Sequence, residues 1–445
     1  MGRRAAVALV AMAGAAAADP IQVSLPAADA LPAALVTPIA RWHRQSELPW
    51  LVLELPETAI GLVFAPIGLV VRAVEGTRAD RVVRAPHQIG SSRVKLAPRL
   101  QYQRVDGVGI GLGVAFGQGR LPFATGAGGM VRLDGDWTVE VTGARGFDGL
   151  ESRFAHVRVA VDHDDHQRFY GIGGGSVVGD RRALAVHAQE VTAEAELQPG
   201  TWQDYSGAVQ IGLARQDLGA GDPDAAAPVA ATDPGDPDAA APPGFADATT
   251  YGTLRAVGRI DSRDTLGRPT DGVLVEVLAA LRADVQGKDL AAATLRADVV
   301  KYLALGEENR VLVIAIGGEI AVPLYPGATI PLLALPTLGR DARLRGYDRG
   351  RFRDRYAAWA SVEYRWPLYQ YNQSGVWVDA FVFADGAEVF GVDAIAAKRL
   401  RYSGGGGFRL AHSTASIADV TIGGSPEGAQ VMFGTTLALG GPERD

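Results

Sequence analysis

Apolar and polar residues alternate along most of the chain after about residue 93. In residues 272–285, Val275 and Val277 occupy one parity, whereas Glu276 and Arg282 occupy the other. Successive side chains of a β-strand point to opposite faces, so this alternation predicts strands with one apolar and one polar face.

The same period recurs often enough to predict an all-β chain. The sixteen predicted strands span residues 94–103, 107–117, 125–134, 136–145, 153–163, 183–197, 201–214, 249–261, 272–285, 291–304, 309–322, 355–368, 374–385, 401–412, 415–424 and 429–439. Many run about 10 to 14 residues, which is long for a globular strand and long enough to cross a bilayer at a tilt. Only a closed sheet satisfies every backbone group in lipid. The pattern therefore predicts a 16-stranded antiparallel transmembrane β-barrel over residues 94–440.

The connections between the predicted strands alternate in length. Four long ones, at 164–182, 215–248, 323–354 and 386–400, fall on one rim, and most links on the other rim are tight. Long external loops and short periplasmic turns are the outer-membrane pattern. A soluble β-sandwich or propeller, the alternative, explains neither the strand lengths nor this asymmetry. The Pro, Ala and Asp content of residues 215–248 predicts a disordered outer loop.

The N-terminus has the plan of a secretory signal over residues 1–18. Arg3 and Arg4 precede a short apolar run and a small-residue cleavage site. Residues 19–93 read as coil with a broken amphipathic helix near 50–75. That helix could lie on the inner membrane surface, enter the lumen as a plug, or pack against a soluble domain. The signal and the strands together predict a protein of the outer membrane of a Gram-negative bacterium.

Composition narrows the possible chemistry. The chain has no cysteine, which excludes disulfides, thiolate metal sites and a cysteine nucleophile. Its net charge of −7 argues against nucleic acid as a partner. No nucleophile elbow, phosphate loop or metal-ligand helix is present.

Two short motifs could carry chemistry, and we interpret both as structural. His163 and His166 flank two aspartates at a strand end, but no further histidine is near them in the sequence, so solvated loop side chains are the simpler interpretation. Ser92 and Lys95 have the spacing of some acyl-enzymes, without the companion motifs. The sequence therefore predicts no enzyme activity, no cofactor and no metal.

Three motifs, in a fixed order, carry a resemblance to a known family. They are Leu344-Arg345-Gly346-Tyr347 followed by Glu363; Asp261, Arg263 and Asp264 at the turn after the eighth strand; and Tyr170, Gly171 and Gly173 in the third outer loop. In these motifs the chain resembles the BamA/TamA-like bacterial surface antigen family of outer-membrane β-barrels. The resemblance covers about residues 94–439, the whole predicted barrel.

The resemblance implies that the sixth outer loop, residues 335–354, folds into the lumen. Arg345, with Gly346 and Tyr347 beside it, would then pair with acidic residues of the inner wall, for which Glu363 and Asp379 are the matching positions. Strand parity independently places Glu363 inward. A guanidinium in a partly desolvated lumen can bind such carboxylates tightly, so these residues would hold the loop in place.

The resemblance also implies a role in protein insertion or translocation at the outer membrane. The lipid bilayer and, during biogenesis, the outer-membrane assembly machinery would be the partners; a client protein is not indicated. The alternative is a passive channel or structural surface barrel. No pattern of a POTRA module is visible in residues 19–93, so the partner binding of those modules is not carried over.

Overall fold

The sixteen strands can be followed in a computed structural model. It describes residues 89–90, 94–103, 107–116, 124–147, 150–197, 205–224, 226, 228–229, 242–245, 248–265, 267–306, 309–340, 343–371, 376–391, 399–412 and 415–435. The predicted signal peptide and nearly all of the predicted N-terminal coil and helix lie outside these residues.

Sixteen long strands are named here in chain order. They are β1 Val94–Gln103, β2 Gly107–Phe116, β3 Ala124–Arg132, β4 Trp137–Phe147, β5 Leu150–Phe169, β6 Arg182–Leu197, β7 Tyr205–Ala220, β8 Thr249–Asp261, β9 Gly272–Asp284, β10 Ala291–Leu305, β11 Arg310–Pro323, β12 Tyr356–Tyr371, β13 Val376–Phe390, β14 Arg401–His412, β15 Ala415–Ser425 and β16 Gly428–Thr435. A two-residue strand, Ile89–Gly90, pairs with β1. Two further short strands, Thr337–Leu338 and Phe352–Arg353, and two 3-10 turns, Val178–Asp180 and Leu332–Ala334, complete the regular structure among the described residues. None of those residues belongs to a helix long and apolar enough to cross a membrane.

Every neighbouring pair of these strands is antiparallel, and the pairing returns to its start. β16 pairs with β1 through three residue pairs, Met432 with Gln103, Phe433 with Tyr102 and Gly434 with Gln101. β8 and β9, at the middle of the chain, pair through eleven residue pairs. The described residues thus form the predicted 16-stranded antiparallel barrel.

The two faces of the wall differ as the alternation predicts. Large apolar side chains stand exposed on the outer face, among them Leu112, Val139, Val159, Val191, Ile211, Leu254, Val277, Val299, Ile316, Val362 and Ile422. The opposite parity carries charges that pair across strands: Arg158 donates to Glu140 and Glu190 at 3.3 and 3.2 Å. An outer face that exposes large apolar side chains, around a polar interior, suits a wall that meets lipid.

Two predicted segments differ from the structure near the long loops. β5 is 20 residues long, and its pairing with β6 is irregular between Asp164 and Gln167, because β5 has one extra residue there and forms a bulge. The predicted disordered loop at 215–248 is wrong at its start, because residues up to Ala220 continue β7. Within the described part of that loop, Val229 is buried in an apolar cluster and Phe245 packs against it.

Candidate functional site

The connection from β11 to β12, residues 324–355, folds back against the inner wall; we call it the lumen loop. Two short strands, Thr337–Leu338 and Phe352–Arg353, pair with each other and draw its ends together. Between them, Leu344 and Tyr347 are buried against the wall in one apolar cluster. The full cluster comprises Leu338, Leu344, Tyr347, Phe352, Ala357, Trp359, Ala387 and Val389. Burial of this apolar surface holds the loop to the inner face of β12 and β13.

Arg345 lies at the tip of the lumen loop and is buried on the inner wall. Its Nη1 donates to Oε2 of Glu363 at 2.6 Å, and its Nη2 and Nε donate to the two carboxylate oxygens of Asp385 at 2.8 and 3.2 Å. The same guanidinium donates to the hydroxyl of Ser361 at 2.9 Å and lies 3.5 Å over the ring of Phe383. Every nitrogen of the guanidinium therefore has a partner, which a buried charge requires.

The backbone around Arg345 explains the glycine of the motif. A Cβ on Gly346 would lie 2.6 Å from the carbonyl oxygen of Gly424 on β15. Leu344, just before the arginine, has a φ of 119°, a strained value for a residue with a side chain. The loop thus lies at backbone contact with β15 and close to the Ser403 side chain of β14, and only glycine fits at position 346.

Of the two predicted acidic partners of Arg345, the structure brings in one. Glu363 lies where strand parity places it, and Arg409 also donates to it at 3.2 Å. The predicted pairing with Asp379 is wrong, because Asp385 occupies that role. Asp379 and Asp385 are six residues apart on β13 and share its inner face, so parity alone could not choose between them.

Asp379 belongs to a second buried ion pair near the rim of the short turns. It is fully buried and accepts hydrogen bonds from Nε and Nη2 of Arg268 at 2.7 and 2.9 Å. Arg268 comes from the turn between β8 and β9, and Trp377 supports it with its ring 4.0 Å away. Arg365 approaches the same carboxylate at 3.7 Å and donates to the carbonyl oxygen of Pro269.

The second motif builds the turn that presents Arg268. Asp261 accepts two hydrogen bonds from the guanidinium of Arg263, at 2.8 and 2.6 Å. Asp264 accepts from the hydroxyl and the N–H of Thr270 at 2.5 and 2.8 Å. Burial alone would raise the pKa of Asp264, but these hydrogen bonds and those from the N–H groups of Asp271 and Thr265 lower it overall. The motif therefore shapes a turn that reaches the inner wall through Arg268.

The third motif contacts the lumen loop. The hydroxyl of Tyr170 donates to Oδ2 of Asp348 at 2.6 Å, and Arg168 donates to the same oxygen at 2.6 Å. Gly171 and Gly173 have φ values of 89° and 113°, and the N–H of Gly173 donates to the carbonyl oxygen of Arg353 at 2.7 Å. Burial raises the pKa of the Tyr170 hydroxyl, and its bond to Asp348 acts in the same direction. The first and third motifs thus form one contact surface.

The lumen loop also contacts the last strand. Arg351, 1% exposed, donates to both carboxylate oxygens of Glu427 at 2.8 and 2.9 Å, in the turn between β15 and β16. On β16 itself, Gln430 donates to Oδ1 of Asp348 at 2.6 Å. The sequence did not identify Asp385, Arg268 or Arg351 as site residues. The inward parity of Asp385 and the arginine-rich context of Arg351 were visible, but the partners of all three residues lie far away in the chain.

Comparison with known proteins supports the predicted resemblance. Residues 246–420 match the model of the Omp85 superfamily domain. The first and second motifs lie within that range, and the third lies before it. No curated protein sequence matches the chain at a significant level.

Two solved structures share the fold at low sequence identity. BamA from Haemophilus ducreyi lacking POTRA domains 1–3 is 13% identical, with a TM-score of 0.54; the match covers 77% of this chain and 70% of that one. CdiB from Escherichia coli is 9% identical, with a TM-score of 0.51, covering 78% of this chain and 63% of CdiB, less than two thirds of its length. At such identities the likeness establishes the barrel fold alone.

Proposed function

Because residues 246–420 match the Omp85 superfamily domain, we propose that this chain is an outer-membrane barrel of that superfamily that assists protein insertion or translocation by opening between β16 and β1. The observation that carries this proposal is the seam between those strands. Among the described residues it has three residue pairs, whereas the neighbouring pairing of β15 with β16 has eight. Over the described residues, fewer residue pairs therefore join β16 to β1 than join β15 to β16, and strands joined by fewer backbone hydrogen bonds separate at lower cost.

The lumen loop is placed to control this seam, because it binds the strand on one side of it. Arg351 and Asp348 contact Glu427 and Gln430, at the start of β16. Movement of the loop would therefore change the support of β16. In this proposal the pairing of Arg345 with Glu363 and Asp385 is the lock that holds the loop in its resting position.

The absence of cysteine allows a direct test of seam opening. In the register of the sheet, Met432 faces Gln103 across the seam and Thr421 on its other side. The variant Met432→Cys with Gln103→Cys can be oxidised to close the seam. Met432→Cys with Thr421→Cys cross-links β15 to β16 and is the matched control.

The assay is the folding rate of an unfolded outer-membrane β-barrel substrate added to vesicles that contain the purified protein. We expect the wild type and the oxidised control to accelerate folding, and the oxidised seam variant to lose the acceleration until it is reduced. Equal acceleration by both oxidised variants would contradict seam opening.

The charged inner wall favours a second candidate, a passive channel. Arg259 pairs with Glu276, and Arg158 with Glu140 and Glu190, along strands that enclose a polar interior. Single-channel recording in planar bilayers separates the two candidates. A steady open current from the wild type supports the channel. A mostly closed barrel that opens in Arg345→Ala supports a plugged, gated barrel.

A further inference from the structure

We propose that His163, Asp165 and His187 form a binding site for a divalent cation of the zinc class at the rim of the long loops. The three side chains bring two imidazole nitrogens and a carboxylate oxygen within 4.8 Å of one another. These three side chains take no part in the lumen-loop contacts described above, and the site does not rest on the proposed seam opening.

The sheet register brings the two histidines together. His163 on β5 pairs directly with His187 on β6, so their side chains leave the same face at neighbouring positions. Their rings stack with centroids 4.1 Å apart. The sequence interpretation of solvated loop histidines is therefore incomplete, because the second ligand lies 24 residues away and becomes a neighbour only when the strands pair.

The bulge in β5 positions the third ligand. The pairing shifts between Asp164 and Gln167, and the backbone of Asp165 is fixed there on both sides. Its N–H donates to Oδ1 of Asp136 at 2.9 Å, and its carbonyl oxygen accepts from the N–H of Asp222 at 3.0 Å. Bulges redirect side chains in this way, and this one aims a carboxylate at both imidazoles.

The distances between the ligand atoms suit a small cation. Nε2 of His163 lies 3.2 Å from Oδ2 of Asp165, and Nε2 of His187 lies 2.7 Å from Oδ1. Tetrahedral zinc with bonds of about 2.0–2.1 Å keeps its ligand atoms about 3.3 Å apart, so a modest expansion of this cluster would admit the ion. Imidazole with one carboxylate favours Zn²⁺ or its transition-metal neighbours over Mg²⁺ and Ca²⁺, which prefer oxygen ligands.

A neighbouring group of similar composition is a poorer candidate. Asp134, Asp136 and His166 also bring their ligand atoms within 4.8 Å. There, however, Nη1 of Arg132 lies 3.4 Å from Oδ2 of Asp136. A fixed guanidinium disfavours a second cation at that position. Among the described residues, no arginine or lysine forms an ion pair with His163, Asp165 or His187.

The site is open to the medium. His163, His187 and Asp165 have side chains 33%, 42% and 38% exposed, so an ion can enter without a change of fold. Trp137 stacks on His163 with centroids 5.6 Å apart, on the outward parity of the wall. A bound ion would connect β5 to β6 at this rim.

The test is calorimetric titration of Zn²⁺ into the full purified barrel in detergent, after treatment with a chelator. We expect about one Zn²⁺ per chain, with His163→Ala, His187→Ala and Asp165→Asn each lowering the affinity at least about tenfold. His166→Gln is the matched control, because it lies on the same bulge outside the three ligands, and it should keep the wild-type affinity. Co²⁺ in place of Zn²⁺ should give visible absorption bands that the ligand variants lose.

Because the ligands are exposed, the variants should fold, which the heat-modified mobility of the barrel on a gel verifies. No Zn²⁺ binding by the wild type would overturn the site. So would a His163→Ala, His187→Ala double variant that binds as tightly as the wild type. Loss of binding in His166→Gln with retention in His187→Ala would also overturn it, because the ligands would then be the neighbouring group.

Discussion

One strand, β13, holds two buried carboxylates that anchor two different connections. Asp385 binds Arg345 from the lumen loop, and Asp379 binds Arg268 from the turn between β8 and β9. Six residues of extended chain separate the two aspartates, about 20 Å along the wall. The barrel interior is thus held at two depths by the same device, a guanidinium from a connection bound to a carboxylate on the wall.

The two anchors differ in their balance of charge. Around Asp385, two carboxylates meet two guanidiniums, because Glu363 lies between Arg345 and Arg409. Hydroxyls of Ser361 and Ser403 also donate to Asp385, at 2.7 and 3.1 Å. Asp379 alone faces two guanidiniums, those of Arg268 and Arg365. We call the Arg345–Asp385 pair the upper anchor and the Arg268–Asp379 pair the lower anchor. The upper anchor contains two carboxylates, whereas the lower anchor depends on one.

The largest loss of stability should follow removal of the Asp379 carboxylate. Asp379→Ala leaves Arg268 and Arg365 buried without their acidic partner, and breaking a buried pair in this way costs about 3–5 kcal/mol. Urea unfolding of the barrel in vesicles measures the loss. A change below about 1 kcal/mol would contradict the ion pair at this depth.

A smaller loss of stability should follow a side chain added at Gly346, next to Arg345 of the upper anchor. In Gly346→Ala the new methyl would lie 2.6 Å from the carbonyl oxygen of Gly424, and such overpacking costs about 1–3 kcal/mol. Gly258→Ala on β8 is the control, because a Cβ there meets nothing within 4 Å. If both variants unfold at the same urea concentration, the loop does not lie at backbone contact with β15.

Removal of the charge of Glu427, the partner of the lumen loop beside the seam, should lower the free energy of unfolding by about 1 kcal/mol. Glu427→Gln weakens the bidentate contact with Arg351 but keeps a hydrogen-bond acceptor. We expect the seam between β16 and β1 to open more often. Faster hydrogen exchange at β16, with unchanged exchange at β8, would show this; uniform exchange would contradict the coupling of loop and seam.

The smallest effect concerns the turn that carries Arg268, and it depends on pH. The pKa of Asp264 is lowered in the folded protein, so its ionised form contributes stability above the ordinary aspartate pKa of about 4. That contribution disappears as the pH falls through the lowered pKa. The stability difference between wild type and Asp264→Asn should therefore shrink on acidification below about pH 4. A difference that grows in acid would contradict the assignment.

The strands were predictable because alternation is a local property. β1, β8 and β14 have the predicted bounds, and most other described strands lie close to theirs, whereas β5, β7 and β13 continue to Phe169, Ala220 and Phe390, past their predicted ends. Parity also predicted that Glu363 faces inward. Parity could not predict which inward carboxylate lies at the level of Arg345 along the barrel wall. Asp379 and Asp385 share a face, and only the position of the lumen loop selects Asp385.

The remaining contacts depend on pairs remote in sequence. Arg268 lies 111 residues from Asp379, and Tyr170 lies 178 residues from Asp348. The motifs marked Tyr170 and Asp264, yet no pattern showed that one contacts the lumen loop and the other shapes an anchor. His163 and His187 became neighbours through strand register alone.

The central claim is that Arg345 is held by Asp385 and not by Asp379. A pair of double-mutant cycles tests it most directly, with urea unfolding free energies for Arg345→Ala combined with Asp385→Ala and with Asp379→Ala. We predict a coupling of about 1.5–3 kcal/mol for Arg345 with Asp385, because the two groups share charge-assisted hydrogen bonds. The coupling of Arg345 with Asp379 should stay within about 0.5 kcal/mol. The reverse order of the two couplings would contradict the account.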